Sequence, residues 1–288
     1  MAKLIELIEK MRDVRAMVVG DAMVDQYLFG RVDRMCPEAP VPVFIAEEVK
    51  DYGGGAAHVA DQLDALCKQS ITCFQPRPHT LKKRFMVGSH MLLRHDTDMV
   101  NIALDDEQRI RLFTKTMVPS YDVIVLSDYA KGWLSEKFCK FIIKTAGVPV
   151  VVDPKGRLWS KYIGCTAICP NDKEISSSWL GIPHVLHKRG PDGLRLYGPL
   201  EGTPPSMDAP IGAGRPVQDF PASARHVYNV TGAGDTVTAV VAAVVAAGGT
   251  LQEACILANL AAGFCVGEVG TTVCTRDKLI ELVKERKC

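Results

Sequence analysis

One short segment of the chain reads Thr231-Gly232-Ala233-Gly234-Asp235-Thr236 and is followed by an apolar run over residues 237–247. The small residues and the apolar run predict a buried helix whose first backbone amides point outward and carry a partial positive charge. Such amides can hold an anionic oxygen that develops during group transfer. Asp235 lies beside them, where a carboxylate could accept the proton of an attacking hydroxyl group, as phosphoryl transfer requires. The alternative interpretation is an ordinary glycine turn before a buried helix.

Composition and charge limit the classes of partner. The chain has 288 residues, 47% of them hydrophobic, which is enough to bury the core of one domain over residues 1–288. Its 34 basic and 33 acidic residues give a net charge of +1, so we predict no nucleic-acid or membrane partner. The ten cysteines are scattered through apolar segments, which favours reduced thiols and a cytoplasmic location. The amphipathic start, with Leu4, Ile5 and Ile8, does not resemble a signal sequence.

Apolar strands alternate with helices along most of the chain. Residues 16–19, 123–126 and 150–152 are continuously apolar, and each run ends in a polar cluster. This pattern predicts an α/β fold with a mostly parallel sheet, in which ligands bind beyond the carboxyl ends of the strands. Asp105 and Ser135 predict helix starts between these strands.

Two kinds of segment interrupt this alternation. Residues 41–51 and 84–96 are strand-like with polar residues interleaved, which predicts a small antiparallel flap that covers a cleft or pairs with another subunit. Residues 198–221 are rich in Pro and Gly, which predicts a surface loop.

Two polar clusters are candidate binding elements. The turn Gly53-Gly54-Gly55-Ala56-Ala57-His58 has small residues that let a ligand approach the backbone, although simple turn chemistry also explains them. Asn171 and Glu174 follow a predicted strand and offer the hard oxygen atoms that hydrated Mg²⁺ prefers. The same pair is also typical of an ordinary helix start.

Several cations lie in or near the flap and the strand ends, where they could recognise a phosphorylated substrate. They are Lys82, Arg84, Arg94, Lys131 and Lys155. Solvated surface charge is the competing interpretation, and we favour it for Lys82 and its neighbour Lys83. We favour a binding role for Arg94, because apolar Leu93 precedes it.

With these residues in order, the chain resembles the ribokinase/PfkB family of carbohydrate kinases, whose C-terminal signature is similar to residues 229–236. More narrowly, it is similar to the heptose 7-phosphate kinase domain of lipopolysaccharide precursor synthesis. The motifs that carry this similarity are Gly20-Asp21-x-Met23-x-Asp25-x-Tyr27, Pro37-Glu38-Ala39-Pro40-Val41-Pro42-Val43, Ser127-Asp128-Tyr129-Ala130-Lys131-Gly132 and Asp153-Pro154-Lys155-Gly156.

The resemblance implies a ribokinase-like fold: a mostly parallel central sheet flanked by helices, with a small antiparallel β lid formed by about residues 31–51 and 80–97. It also implies an ATP-dependent kinase that phosphorylates the anomeric hydroxyl of heptose 7-phosphate, a sugar phosphate, to give heptose 1,7-bisphosphate. The implied cofactors are ATP and Mg²⁺, with a monovalent cation as a further candidate. In this family the lid commonly pairs two copies, which implies a homodimer.

The resemblance also assigns roles to residues. Asp235 is the implied base, and the amides of the Gly232-Ala233-Gly234 turn hold the transferred phosphoryl group. The implied sugar site comprises Asp25, Gly54, Gly55, His58, Arg94, Asp128 and Lys131. The implied nucleotide site comprises Lys155, Asn171, Glu174, Thr231 and Asn259, with Asn171 and Glu174 contacting Mg²⁺ through water.

The chain departs from the family pattern at several points. His58 replaces an asparagine that bonds a sugar hydroxyl, and Asn229 replaces an aspartate linked to monovalent-cation binding. The segments 66–80 and 174–184 are short, and because the sequence ends at Cys288 we expect no adenylyltransferase half. These departures keep two alternatives open: a kinase for another small sugar or nucleoside, and an inactive homologue that binds nucleotide or sugar.

Overall fold

The computed structural model describes residues 1–74, 80–98, 104–116, 121–176, 181–198, 217–223, 227, 230–268 and 272–286. The strands are β1 (Arg15–Gly20), β2 (Ala22–Met35), β3 (Pro42–Gly55), β4 (Gln69–Phe74), β5 (Thr80–Val87), β6 (His90–Thr97), β7 (Val123–Ser127), β8 (Val150–Asp153), β9 (Ala167–Ile168), β10 (Val185–Lys188), β11 (Leu194–Tyr197) and β12 (Val217–Phe220). The helices are α1 (Ala2–Met11), α2 (Ala56–Leu66), α3 (Asp106–Thr116), α4 (Glu136–Thr145), α5 (Ala233–Ala246), α6 (Leu251–Cys265) and α7 (Arg276–Glu285). Within the described residues, no helix is both long and apolar enough to cross a membrane.

The central sheet has the strand order β12-β11-β10-β9-β8-β7-β1-β4. Neighbouring strands from β4 to β10 are parallel, and β11 and β12 extend the sheet as antiparallel strands. The apolar runs at 16–19, 123–126 and 150–152 lie in β1, β7 and β8, which are buried almost throughout. Helices cover both faces of these strands, which explains why their hydrophobicity is continuous rather than alternating. The predicted α/β fold is confirmed.

Two layers of helices enclose the sheet. On one face α1, α2, α5, α6 and α7 pack against side chains such as Val125 and Val151. On the other face α3 and α4 pack against side chains such as Leu126 and Val152. Helix α5 is apolar nearly all round because it lies between the sheet and α6. Its first turns reach the carboxyl edge of the sheet, where Thr238 donates a hydrogen bond to Asp153 at the end of β8.

The helix starts predicted from capping residues are confirmed. The Gln108 amide donates to Asp105 Oδ1 at 2.8 Å, and the Asp105 amide donates back to Gln108 Oε1 at 2.9 Å, at the start of α3. The Ser135 hydroxyl accepts the Phe138 amide at 3.1 Å at the start of α4. These local signals are independent of tertiary contacts, which is why they can be read from the sequence.

A second sheet, which we call the lid, has the strand order β3-β2-β5-β6. Strands β2 and β3 are antiparallel, as are β5 and β6, whereas β2 and β5 run parallel. The predicted lid ranges fall within these strands and their connections, and β2 extends the sheet back to Ala22. The first part of β2 includes the buried residues Met23 and Tyr27, so its sequence resembles a core strand and does not signal a change of sheet.

Strand β6 presents apolar side chains to solvent. Met91, Leu92 and Leu93 are exposed, although they follow one another along the strand. Large exposed apolar groups in series are typical of an interaction surface. The pairing of the lid with a second copy stays a prediction.

One predicted loop contains a strand. Residues 217–220 of the expected 198–221 loop form β12, which pairs antiparallel with β11, and Asp219 bonds Arg195 across the pair at 2.6 Å. A strand of four residues is too short to show periodicity in a Pro- and Gly-rich segment, so tertiary pairing decides its conformation. Residues 199–216 lie outside the described part of the chain, as do residues 75–79 and 177–180 of the two short segments.

The buried carboxylate of Asp21 anchors the loop that follows β7. Its Oδ2 atom accepts hydrogen bonds from the backbone amides of Tyr129 at 2.9 Å and Lys131 at 3.1 Å. Its Oδ1 atom accepts one from the amide of Trp133 at 3.1 Å. The loop has no neighbouring strand to supply carbonyl groups to these amides, so one side chain satisfies all three.

We expect Asp21→Ala to lower the free energy of unfolding by about 3 kcal/mol or more, because three amides lose their acceptor. Asp122→Ala is the matched control, since Asp122 accepts one backbone amide, that of Arg15 at 2.8 Å, at a half-exposed position. That variant should lose about 1 kcal/mol. Urea unfolding measures both values, and equal losses would contradict the anchoring role of Asp21.

Candidate active site

A cavity of about 600 Å³ opens at the carboxyl edge of the central sheet, between the ends of β8 and β10 and the helices α5 and α6. Its floor carries the buried charged residues Asp153, Glu174, Lys188 and Asp235. Its outer wall includes the exposed apolar side chains of Val227 and Val230. A concave site with an apolar wall and a few convergent charged groups is typical of small-molecule binding.

The start of α5 faces this cavity. Thr231 and Gly232 form the turn before the helix, and Gly232 has a φ of 81°, a left-handed conformation that favours glycine. The Ala233 amide donates to the Val230 carbonyl at 3.3 Å, whereas the amides of Gly234 and Asp235 have no acceptor among the described residues. The open amides are therefore those of Gly234 and Asp235. The tight turn before the helix uses the Ala233 amide, so its contact with a phosphoryl group stays a prediction.

The carboxylate of Asp235 is buried at the edge of the cavity. Its Oδ1 atom accepts a hydrogen bond from the Tyr129 hydroxyl at 2.6 Å, and no other described residue bonds its second oxygen. Burial is the main cause that raises the pKa of Asp235, to about 6, and the nearby charge of Asp25 raises it further. The Tyr129 hydrogen bond and the charges of Lys188 and Lys82 act in the opposite direction. Such a carboxylate is ionised at neutral pH and is still a better proton acceptor than an exposed aspartate.

An ion pair lies directly beneath the start of α5. Lys188, the last residue of β10, donates from Nζ to Asp153 Oδ1 at 2.7 Å, and Thr238 donates to Asp153 Oδ2 at 3.0 Å. Burial raises the pKa of Asp153, while the charge of Lys188 lowers it and that of Asp235 raises it. Two buried carboxylates close to each other therefore share one buried ammonium group.

Glu174 and Asn171 lie at the opposite side of the cavity floor. Glu174 accepts a hydrogen bond from the Lys155 ammonium on Oε1 at 3.1 Å and one from the backbone amide of Asn171 on Oε2 at 3.2 Å. Asn171 Oδ1 accepts the Lys173 amide at 2.9 Å, so this oxygen closes a local turn. Among the described residues each oxygen of Glu174 makes one such bond, which leaves a lone pair on each for a further contact. The buried carboxylate thus fits water-mediated contact with Mg²⁺, and the engaged Asn171 oxygen fits it less well.

The lid contributes a second group of polar residues close to Asp235. Arg84 donates to Asp25 Oδ1 at 2.5 Å, and both side chains are buried. Gly54 lies against this carboxylate, since a Cβ atom at Gly54 would come within 2.7 Å of Asp25 Oδ2. Gly55 has a φ of 58°, and a Cβ atom there would come within 3.2 Å of the Tyr129 ring. The predicted Asp25, Gly54 and Gly55 therefore lie together, next to Tyr129, which contacts Asp235.

Lys82 and His58 complete this side of the site. The Lys82 ammonium lies 5.5 Å from the centroid of the Tyr129 ring, and burial lowers its pKa while the charge of Asp25 raises it. No described carboxylate forms an ion pair with Lys82. His58 is buried on α2, with a ring nitrogen 3.3 Å from Gln62, and burial lowers its pKa. The prediction of Lys82 as solvated surface charge does not hold, because the lid folds it inward.

Two predicted substrate residues bond to neighbouring carboxylates instead of lining the cavity. Arg94 lies half exposed on β6 and donates to Asp96 at 3.0 Å. The Lys131 ammonium lies 2.7 Å from Asp98. Arg94 does not line the cavity, so its contact with a sugar stays a prediction.

Two further predicted residues line the cavity but use their side chains elsewhere. Asp128 accepts hydrogen bonds from Lys161 and from the Tyr162 hydroxyl, the latter at 2.6 Å. Asn259 on α6 donates its side-chain amide to the carbonyls of β12 and the residue after it, at 3.1 Å for Phe220. Both side chains therefore stabilise the walls of the cavity. Asn229, the position linked to a monovalent cation, lies outside the described residues.

Sequence reasoning missed four residues of the site: Tyr129, Asp153, Lys188 and Thr238. The sequence placed Asp153 at the correct edge of the sheet, because it ends a buried strand, but it gave no sign of the bond to Lys188. Lys188 also ends a strand, but β10 has only four residues and is not recognisable from its pattern. Tyr129 lies in one of the quoted motifs without a role of its own, and Thr238 lies in the apolar run 237–247. Only their contacts reveal what they do.

Two sequence comparisons with known proteins agree with this geometry. The sequence pattern of the pfkB family carbohydrate kinases matches residues 134–278. The bifunctional protein HldE of Paramagnetospirillum magneticum is 34% identical over 333 residues, which cover 97% of this chain and 65% of that protein. The chain thus spans 65% of the length of that relative.

The fold is similar to those of solved ribokinases. The ribokinase of Thermotoga maritima has a TM-score of 0.68 and 17% identity, covering 94% of this chain and 100% of that one. The ribokinase of Arabidopsis thaliana, solved with ribose and ATP, has a TM-score of 0.61 and 18% identity, covering 94% and 99%. At these identities the likeness establishes the fold alone.

The sequence match and the fold agree with the arrangement around α5. Residues 231–236 form the helix start that faces the cavity, and Asp235 lies buried at its edge. The chain belongs to the pfkB family of carbohydrate kinases, which are phosphotransferases that act on sugars.

Proposed function

We propose that the chain transfers the γ-phosphoryl group of ATP to the anomeric hydroxyl of heptose 7-phosphate, giving heptose 1,7-bisphosphate. One observation carries the transfer chemistry: the Asp235 carboxylate and the open amides of Gly234 and Asp235 face the same cavity. A base and an anion hole at one point are the parts that phosphoryl transfer to an alcohol requires.

The residues support the following division of roles. The free oxygen of Asp235 takes the proton of the acceptor hydroxyl. The oxygen of that hydroxyl attacks the γ-phosphorus, and the bond between the γ-phosphorus and the ADP oxygen breaks. The amides at the start of α5 hold the negative charge of the moving phosphoryl group. The Tyr129 hydroxyl holds the other oxygen of Asp235, so the base keeps one orientation. Positioning and electrostatics supply the catalysis, as is usual in this chemistry.

The cavity supports a nucleotide as the donor. Its apolar outer wall with Val227 and Val230 suits a nucleobase, and Lys155 at the floor suits a phosphate. The plant ribokinase with the similar fold was solved with ATP. Mg²⁺, when bound, would neutralise the charge of the phosphates, and Glu174 is the residue that fits contact with its water ligands. We therefore propose ATP and Mg²⁺ as the cofactors.

Lys82 supports a phosphorylated acceptor. Its half-buried ammonium has no described carboxylate partner, although Arg84, Lys131 and Lys155 in its surroundings each have one. Burying an unpaired charge is unfavourable, and an anionic group on the acceptor would remove that penalty. The narrower sequence resemblance, to heptose 7-phosphate kinase domains, favours a sugar whose phosphate lies away from the reacting hydroxyl.

Incubation with ATP, Mg²⁺ and heptose 7-phosphate should yield a bisphosphate, detected by mass spectrometry and by ADP release. Asp235→Asn should lower kcat about 10²-fold or more because it removes the base, and ATP binding should change little.

A panel of ribose, fructose and nucleosides tests the acceptor separately. Turnover only with one of these would reject the heptose, and unchanged turnover of Asp235→Asn would reject the base. ATP binding without transfer to any acceptor would identify an inactive homologue.

Lys82→Met should lower kcat/KM for heptose 7-phosphate about 10- to 100-fold, because one charge-assisted contact is lost. The matched control is Lys83→Met, which removes the same charge from the opposite face of β5. That variant should retain kcat/KM within about threefold. Equal losses in the two variants, or an equal loss with a sugar that has no phosphate, would contradict a phosphate contact at Lys82.

The activity should fall as the pH drops through the raised pKa of Asp235, about 6, because only the ionised carboxylate accepts a proton. Tyr129→Phe removes a hydrogen bond that stabilises the ionised form, so the pKa rises and the acid limb of kcat/KM moves to higher pH. The titration of ATP itself is common to both proteins and cancels in the comparison. An acid limb that stays in place would show that Asp235 does not control it.

A further inference from the structure

Lys188 has ammonium donors that the protein does not use. An ammonium group has three N–H donors. Within the described residues the Lys188 Nζ atom donates to a single acceptor, Asp153 Oδ1 at 2.7 Å. The side chain is almost fully buried, with 11% of it exposed, and it lines the cavity. Two donors of a buried cation therefore remain for a ligand in that cavity.

The position of these donors coincides with the anion hole. A Cβ atom at Gly234 would come within 3.3 Å of Lys188 Nζ and within 3.7 Å of its Cε. The ammonium thus packs directly against the residue whose amide is open, and a larger residue than glycine would separate the two. Glycine at 234 brings a full positive charge and a helix start to the same point.

The surrounding charges require a cation here. Asp153, Asp235 and Glu174 are three buried carboxylates at the cavity floor, and each interacts electrostatically with Lys188. A triphosphate that enters this floor adds further negative charge. Without Lys188, the carboxylates would repel the phosphoryl group that has to reach the start of α5.

We propose that Lys188 is a catalytic residue, which donates hydrogen bonds from Nζ to the non-bridging oxygens of the phosphoryl group during transfer. The bond between the γ-phosphorus and the ADP oxygen breaks, the bond to the acceptor oxygen forms, and the acceptor proton goes to Asp235. Lys188 stays protonated throughout, and its hydrogen bonds become stronger as negative charge accumulates on the phosphoryl oxygens. Asp153 and Thr238 hold it in place from below.

The test compares two variants in which the buried pair is treated as a unit. Lys188→Met alone would leave Asp153 buried without a partner, so a loss of activity could reflect misfolding. Asp153→Asn keeps the cation, and Asp153→Asn combined with Lys188→Met removes both charges. The acceptor is whichever sugar the unaltered chain phosphorylates fastest, so the result does not depend on heptose 7-phosphate.

We expect the double variant to have a kcat about 10²-fold below that of Asp153→Asn, the loss typical for one preorganised donor at a developing anion. Both variants should be folded at the assay temperature, and their melting temperatures check this. Lys155→Met, which removes a half-exposed cation from the same cavity, should mainly raise the KM for ATP. Equal kcat values for the single and double variants would overturn the proposal.

A binding measurement tests the same contact without turnover. Aluminium fluoride with ADP imitates the phosphoryl group in flight, and a group that acts on the transition state should tighten this complex more than the complex with ADP alone. Asp153→Asn should keep the tightening by aluminium fluoride, and the double variant should lose about 10²-fold of it while binding ADP normally. Retention of the full tightening in the double variant would also overturn the proposal.

Discussion

The hydrogen bonds from three backbone amides to the Asp21 carboxylate determine where the rest of the site lies. They fix the loop after β7, and this loop places the Tyr129 hydroxyl 2.6 Å from Asp235. The Asp235 carboxylate is thus oriented by a residue from the other half of the chain. An irregular loop can act as a rigid support here because a buried anion, rather than a neighbouring strand, satisfies its amides.

The floor of the site is arranged around an excess of negative charge. Asp153, Asp235 and Glu174 converge there, and Lys188 and Lys155 offset only part of their charge. Burial raises the pKa of Asp153 and Asp235, so both carboxyl groups lie closer to neutral pH than exposed ones. That arrangement suits a base which has to take a proton at neutral pH and still be ionised beforehand.

The sequence predicted the parts of this protein that depend on local pattern. The buried strands, the capped helices and the glycine-rich start of α5 all carry signals that neighbouring residues determine. The location of Asp235 followed because a strand-end and helix-start architecture confines chemistry to one edge of the sheet. The resemblance to carbohydrate kinases added the role of that residue.

The parts that could not be predicted depend on tertiary contacts. Lys82 reads as a surface lysine until β2 and β5 pair in parallel and set it opposite Asp25. Arg94 reads as a binding residue because apolar Leu93 precedes it, yet Leu93 is exposed on β6. Lys188 lies on a strand of four residues that has no pattern of its own. In each case the pairing partner decides whether the charged side chain lies inside the protein or at its surface.

Strand β2 begins only one residue after β1 ends, and that residue is Asp21. The lid is a separate sheet, but a single residue connects its first strand to the central sheet, so this connection is short and not a flexible linker. A tilt of the lid would pivot at the same point that holds the loop of Tyr129. A movement of the lid and a shift of the Tyr129 hydroxyl against Asp235 would then be coupled through Asp21.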